Sequence, residues 1–313
     1  MTRVILHRLA VAIPVLFLMS IFTFVLVSFL PGDAAKALLG ENATPQQIEQ
    51  LRQQMGLNRP LAEQYLAWLG SAMHGDFGSS LLNGQPVVEI LNTRLPVTLG
   101  LILATTVVTS VVGVVLGFAS ALRGGWLGRL VDLLAFVSFA SPPFWIALLL
   151  ITLFSVEWHV LPPNGFVPLA ESPLGWVQTM LLPIVALATG GFAGIATQTR
   201  DSTMDALGRD FVRVLFANGL TRRSIAWKHV LRSSAPAVLT VIGLIFVSLL
   251  SGAVLIEQVF ALPGVGQEVV TATTNHDIPV IQGAVLYLTA IVLIVNLVVD
   301  IMYGFVDPRV RVR

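Results

Sequence analysis

The stretch DALGRDFVRVLFANGLTRRSIAWKHVLR runs from Asp205 to Arg232 and lies in a hydrophilic segment, 200–232, between two long apolar runs. That segment carries seven of the chain's 18 Lys and Arg residues. Two short amphipathic helical patterns meet in it at Gly219. Ser202 and Asp205 predict an acidic capping box, and Asp201 and Asp205 suit the positive end of a helix starting there. Leu207, Phe211, Val214 and Leu215 then fall on one helical face. Gly219 supplies a left-handed stop, Thr221 caps a second helix, and Ile225, Trp227 and Leu231 follow. An apolar face in a basic loop fits either a groove in a partner protein or the surface of a membrane. Periodicity leaves both open.

Outward from this loop the chain is 55% apolar and 11% charged. A soluble domain carries about 25% charged residues, so most of this surface faces lipid. The net charge of +1 says nothing about partners, and nothing points to nucleic acid. With no cysteine, disulfides, thiolate metal sites and cysteine nucleophiles are excluded. Runs long enough to cross a bilayer, about 20 residues, occur at 9–30, 96–122, 133–156, 174–196, 235–255 and 280–299. The first is long for a signal-peptide core and lacks a small-residue cleavage site, so it is read as a retained span.

Six spans place both termini on one side, and Lys and Arg decide which. Arg3, Arg8, Arg123, Arg129, the seven of the 200–232 segment, Arg309, Arg311 and Arg313 fall on one side. Only Lys36, Arg52, Arg59 and Arg94, in the long first loop, fall on the other. The basic side is cytoplasmic. The expected organisation is a cytoplasmic N-terminus and first span at 1–30, an external helical loop at 31–95, and a five-span core at 96–313.

The external loop reads as folded. Thr44, Pro45 and Gln47 predict a helix start with a capping box, and Gly56 predicts its end. Pro60 starts another helix, with Leu61, Tyr65, Trp68, Leu69 and Ala72 on one face. GDFGSS at 75–80 is a turn. Val87, Ile90, Leu91 and Leu95 make an amphipathic approach to the second span. Within the spans, Pro142 and Pro143 break the third near its middle, and Pro183 with Gly190, Gly191 and Gly194 loosens the fourth. Gly100, Gly113, Gly117, Gly243 and Gly252 allow close helix contacts.

Several chemistries lack their parts. The two lysines, Lys36 and Lys228, stand outside any Gly-Lys-Ser/Thr turn, so no P-loop is present. His7, His74, His159, His229 and His276 form no metal-binding pattern, and no cofactor is implied. Asp132, Glu157, Glu257 and Asp300 sit at span ends, which leaves the span interiors without the ionisable groups of an ion-coupled carrier. Energy is expected to arrive from outside the chain.

At 210–232 the sequence resembles the permease subunits of ABC importers, in particular the dipeptide/oligopeptide/nickel family. DFVRVLFANGLTRRSIAWKHVLR looks like that family's EAA loop, with Gly219 at the motif's glycine and Asp210, His229, Leu231 and Arg232 also matching. It departs from the family pattern at Val214, Leu215 and Phe216, where small residues are usual, and Pro236 falls one place early. PGD at 31–33, QLRQQMGLNRPLAEQYLAWL at 50–69 and GDFGSS are similar to the family's first external loop. SGAVLIEQVFALPGVGQ at 251–267, DIPVIQGAV from Asp277 and DPRVR from Asp307 are similar to its last two spans. The resemblance implies a type I ABC importer-like, all-α polytopic membrane fold in a bacterial-type inner membrane. It also implies a homologous second permease, two ABC ATPase subunits that hydrolyse ATP, and an extracytoplasmic substrate-binding protein. This chain itself would be non-catalytic. Coupling would fall to Asp210, Phe211, Val214, Leu215, Ala217, Asn218, Gly219, Leu220, Thr221 and Arg222. Glu257, Pro263, Gly264, Gly266 and Asp277 would lie at an external gate or binding-protein face. The competing readings are an ion-coupled secondary carrier and a non-transporting membrane assembly protein.

Overall fold

The computed structural model describes residues 2–29, 34–39, 43–54 and 56–306. The PGD motif at 31–33 and the DPRVR ending lie outside them. Among the described residues the chain is helical, with one isolated bridge between Ser79 and Pro86. Its helices are α1 (Thr2–Ser28), α2 (Ala34–Leu39), α3 (Pro45–Gln54), α4 (Leu61–Ala72), α5 (Val87–Arg123), α6 (Gly125–Ala140) and α7 (Pro143–Leu150). Then come α8 (Pro173–Gly208), α9 (Asp210–Ala217), α10 (Arg222–Ser224), α11 (Leu231–Val259), α12 (Val265–Thr274) and α13 (Ile278–Val306). Wider π-helical turns at Ile151–Glu157 and Ile225–Val230 continue α7 and lead into α11.

Five stretches are long and apolar enough to cross a membrane: Leu6–Ser28, Val87–Arg123, Pro173–Gly208, Arg222–Val259 and Ile278–Met302. Where the sixth span is expected the structure has a broken helix pair, Gly125–Ala140 and Pro143–Glu157, bent by 101°. Single prolines inside helices (Pro14, Pro96, Pro183, Pro236) leave them continuous. Pro142 and Pro143 do not, because two adjacent backbone donors are missing and residues before proline are driven extended. Ser141 stands at φ −107°, ψ 118° and Pro142 at φ −61°, ψ 136°.

The chain forms two compact units, one of residues 99–262 with 294 onward, the other of residues 2–98 with 263–293. In the first, α8 is the axis: 56% of its apolar window is buried, against at most 33% for the other long apolar helices. Small residues bring its neighbours close, since between apolar helices in lipid tight van der Waals packing replaces a hydrophobic driving force. A Cβ on Gly117 of α5 would sit 2.4 Å from the Ala196 carbonyl, and one on Gly191 of α8 would sit 2.7 Å from Ile245 of α11. Arg200 of α8 bonds Asp132 of α6 at 2.5 Å. Asp132, expected at a span end, thus stands inside a helix and paired.

In the second unit α4 lies on α1. Tyr65 shares a 2.8 Å hydrogen bond with Ser20 and packs edge-on against Phe24, which also contacts Trp68. Val87, Leu91, Val265, Val280 and Ala284 form its core. The approach at 87–95 and the second span are one helix, α5. Thr44 and Gln47 exchange the reciprocal bonds of a capping box, at 2.9 and 3.4 Å.

Gly117→Val should loosen α5 from α8, lowering the detergent-solubilised thermal midpoint by an amount equivalent to about 1–3 kcal/mol. Gly100→Ala, whose added Cβ meets only Trp176 at 4.0 Å, should be neutral or stabilising by up to about 1 kcal/mol. Equal midpoints for both variants would contradict this packing.

Candidate functional site

The segment between α8 and α11 folds differently at its start from the sequence expectation. No helix begins at Ser202: α8 runs through to Gly208, and the Ser202 hydroxyl accepts from the Gln198 amide at 2.8 Å. A capping side chain has no orphan donors to satisfy in mid-helix, so the Ser-x-x-Asp pattern is idle there. The break comes instead at Arg209, which is extended (φ −78°, ψ 149°), and α9 starts at Asp210.

α9 ends as its sequence predicts. The Gly219 N–H donates to the Phe216 carbonyl at 3.0 Å and the Leu220 N–H reaches back to Leu215 at 3.2 Å. This double closure needs a left-handed residue, and Gly219 has φ +79°. Thr221 then accepts from the Ser224 N–H at 3.3 Å and caps α10. Arg222 opens that turn and is exposed.

Beneath α9 lies an apolar cluster of Ala206, Val212, Ile225 and Val230, with Leu207, Phe211, Leu215 and Leu220 packed on it. Val214 departs from the expected face: it is 57% exposed, and Phe216 is 44% exposed. Val212, which the spacing passed over, is the buried residue of α9. Ala217, Asn218 and Gly219 are also exposed, so one edge of the hairpin is anchored and the other is bare. The Asp210–Arg213 pair, 3.6 Å apart and almost fully exposed, contributes little to this anchoring. A ring contact between Trp227 and Phe118, centroids 5.1 Å apart, ties the loop to α5.

The second set of sequence candidates falls in both units. Glu257 belongs to the first and is fully buried near the end of α11. Its carbonyl accepts the Leu262 N–H at 2.9 Å. Pro263, Gly264, Gly266 and Asp277 belong to the second unit. Gly264 is the extended residue before α12, and the Thr98 hydroxyl accepts the orphan Val265 N–H at 2.8 Å. Gly266 is buried in the first turn of α12. Asp277 is 1% exposed and accepts from the Ser80 hydroxyl at 2.5 Å and the Leu81 N–H at 3.1 Å. It fastens the GDFGSS turn to the start of α13, a link across 197 residues that no local pattern announces. Arg94 and Glu268, 2.7 Å apart, add a half-buried pair between α5 and α12.

In the first unit a cavity of about 360 Å³ opens at the α6–α7 break, lined by Ser138, Ser141, Pro142, Pro143, Ser248 and Gly252 among others. Its lining carries no ionisable side chain among the described residues.

A helical chain of five or six apolar spans, with a capped hairpin in its most basic loop, is a polytopic membrane component. Residues 113–312 match the family described as binding-protein-dependent transport system inner membrane component, and residues 1–102 match the N-terminal region of the same class. The chain belongs to this family of ABC transporter permeases. It is 40% identical, over 99% of both chains, to a protein of Brucella abortus named as a peptide transport system permease. The dipeptide transport system permease protein DppB of Escherichia coli K12 is 35% identical, again over 99% of both. Among solved structures, the inward-facing MetNI methionine ABC transporter superposes with a TM-score of 0.52. That match covers 70% of this chain and 96% of the other at 15% identity, and it speaks to fold.

Gly219→Asn should keep the hairpin, because Asn tolerates the left-handed region, whereas Gly219→Val should open the turn at about 1–2 kcal/mol. No neighbour lies within 4 Å of the added Cβ, so the difference is conformational. Hydrogen exchange at Gly219 and Leu220 separates the two; equal protection would refute the closure. Asp277→Ala should raise exchange at Leu81 by an amount equivalent to about 1–3 kcal/mol, and an unchanged rate would remove Asp277 from that role.

Proposed function

We propose that the chain is the permease subunit of an ATP-driven peptide importer, forming half of the translocation path. ATP would be hydrolysed by separate cytoplasmic subunits. What carries this reading is the hairpin at Gly219: anchored by its apolar base, it holds Val214 and Phe216 bare on its outer edge in the most basic segment of the chain. Two exposed apolar side chains on a short rigid helix are what a groove in a partner receives. The relatives named as peptide and dipeptide permeases support peptides as the solute class.

In this reading six spans place both termini in the cytoplasm, and the broken α6–α7 pair counts as one of them. Asp210, Phe211, Val214, Leu215, Ala217, Asn218, Gly219, Leu220, Thr221 and Arg222 form the coupling element, with Phe211, Leu215 and Leu220 holding it in place from below. Two ATPase subunits bind this element and its counterpart on a homologous second permease. An extracytoplasmic binding protein delivers the solute to the opposite face, a role assigned to Glu257 in the first unit and to Pro263, Gly264, Gly266 and Asp277 in the second. The uncharged cavity at the α6–α7 break suits a peptide path driven by a partner rather than by an ion gradient.

The chain has no native cysteine, so single cysteines at Val214 and Phe216 can be crosslinked cleanly. Both should capture the ATPase subunit, while a cysteine at exposed Arg123, outside the hairpin, should not. Val214→Asp should lower ATP-driven peptide uptake in proteoliposomes about tenfold or more, matching the roughly 1.4 kcal/mol per decade of a lost apolar contact, with membrane insertion unchanged. Uptake by this chain alone under an ion gradient would establish the carrier reading instead. Absence of flux in the complete complex would establish the assembly reading.

A further inference from the structure

The second unit holds a cavity of about 490 Å³. Its walls come from Phe24 and Ser28 of α1, Arg59, Glu63 and Trp68 in and before α4, and Ile278 and Gln282 of α13. Two polar groups there lack partners among the described residues. Gln282 is only 3% exposed, and its amide has no hydrogen bond among the described residues. The Trp68 indole Nε1 is buried and likewise unpaired. Gln64, also on the wall, is already engaged by the Leu57 and Arg59 carbonyls. A cavity of this volume is in the range of ligand sites.

Position identifies the chemistry. The apolar run of α1 ends at Ser28 and that of α13 begins at Ile278, and both ends line this cavity. It therefore straddles the boundary between hydrocarbon and water. Its apolar wall, Phe24, Leu57, Leu61, Leu81 and Ile278, faces one kind of group. Arg59 and Glu63, both exposed, offer a cation and an anion to another. We infer that the cavity binds one zwitterionic aminophospholipid. The Gln282 amide donates to an ester carbonyl, Arg59 meets the phosphate, Glu63 meets the ammonium, and the acyl chains run along the apolar wall beside the Trp68 ring.

The test uses the full-length chain, exchanged into detergent until lipid-free, then incubated with an equimolar mixture of dioleoyl phosphatidylethanolamine and phosphatidylglycerol. Retained lipid is counted by mass spectrometry after washing. The wild type should retain phosphatidylethanolamine preferentially. Gln282→Leu should reduce that retained fraction about fivefold, the factor a single hydrogen bond confers. Glu63→Gln, an exposed change that leaves folding intact, should abolish the preference for the ammonium head group without abolishing binding. Brominated phosphatidylethanolamine should quench the part of the emission that Trp68→Phe removes. Equal retention of both lipids by the wild type, or quenching that Trp68→Phe does not diminish, overturns the inference. Displacement of the lipid by trialanine would make the cavity a peptide site and equally overturn it.

Discussion

The last carbonyls of a helix have no partner within it, and that constraint governs how this chain ends its helices. Five ends close alike, with an N–H reaching back five residues: Leu57 to Arg52, Asp76 to Ser71, Leu220 to Leu215, Leu262 to Glu257 and Asp277 to Ala272. In each the residue before the donor is left-handed. Three of these residues are glycine; the other two are Ala261 (φ 50°) and His276 (φ 57°). A side chain in that region costs about 1–2 kcal/mol, so the last two turns need support from elsewhere. They have it. Phe260 and Leu262 on either side of Ala261 are buried, and Asp277 after His276 is held by Ser80 and Leu81.

Gly219 has the same closure in the opposite circumstances. It is exposed, and open space surrounds the place a Cβ would take. Its turn depends on its own glycine and on Leu215 and Leu220 meeting beneath it. The hairpin is therefore defined locally and attached globally by one apolar face. A turn closed by its own residues keeps its shape when distant contacts shift, whereas a turn built from those contacts would come apart.

Much of this was legible because it is local. The Thr44 capping box, the Gly219 stop and the Thr221 cap each rest on residues within a few positions of one another, and all three are present. The Ser202 start failed because a capping pattern is only permissive: α8 gains more by carrying its apolar stripe on to Ala206 and Leu207 over the cluster than by stopping. The exposure of Val214 was missed because the base of the hairpin is shared by four elements, so that Val212 turns inward toward Ile225 and Val230. Asp277 holding Ser80 has no trace in periodicity. The spans were legible as apolar runs, but the 101° bend was not, since proline announces a break and leaves its angle to packing.

The same constraint on peptide groups acts at the α6–α7 bend. Pro142 and Pro143 cannot donate to the carbonyls of Ser138 and Phe139, one turn earlier. Irregular backbone at membrane depth is tolerated where it is buried in protein or lines a cavity, and here it lines one, with the hydroxyl-bearing Ser138, Ser141 and Ser248 on the same wall. Carbonyls and hydroxyls without ionisable groups can solvate a polar solute or hold a sodium ion, but they do not titrate. Among the described residues the lining of this cavity thus offers no group for proton coupling.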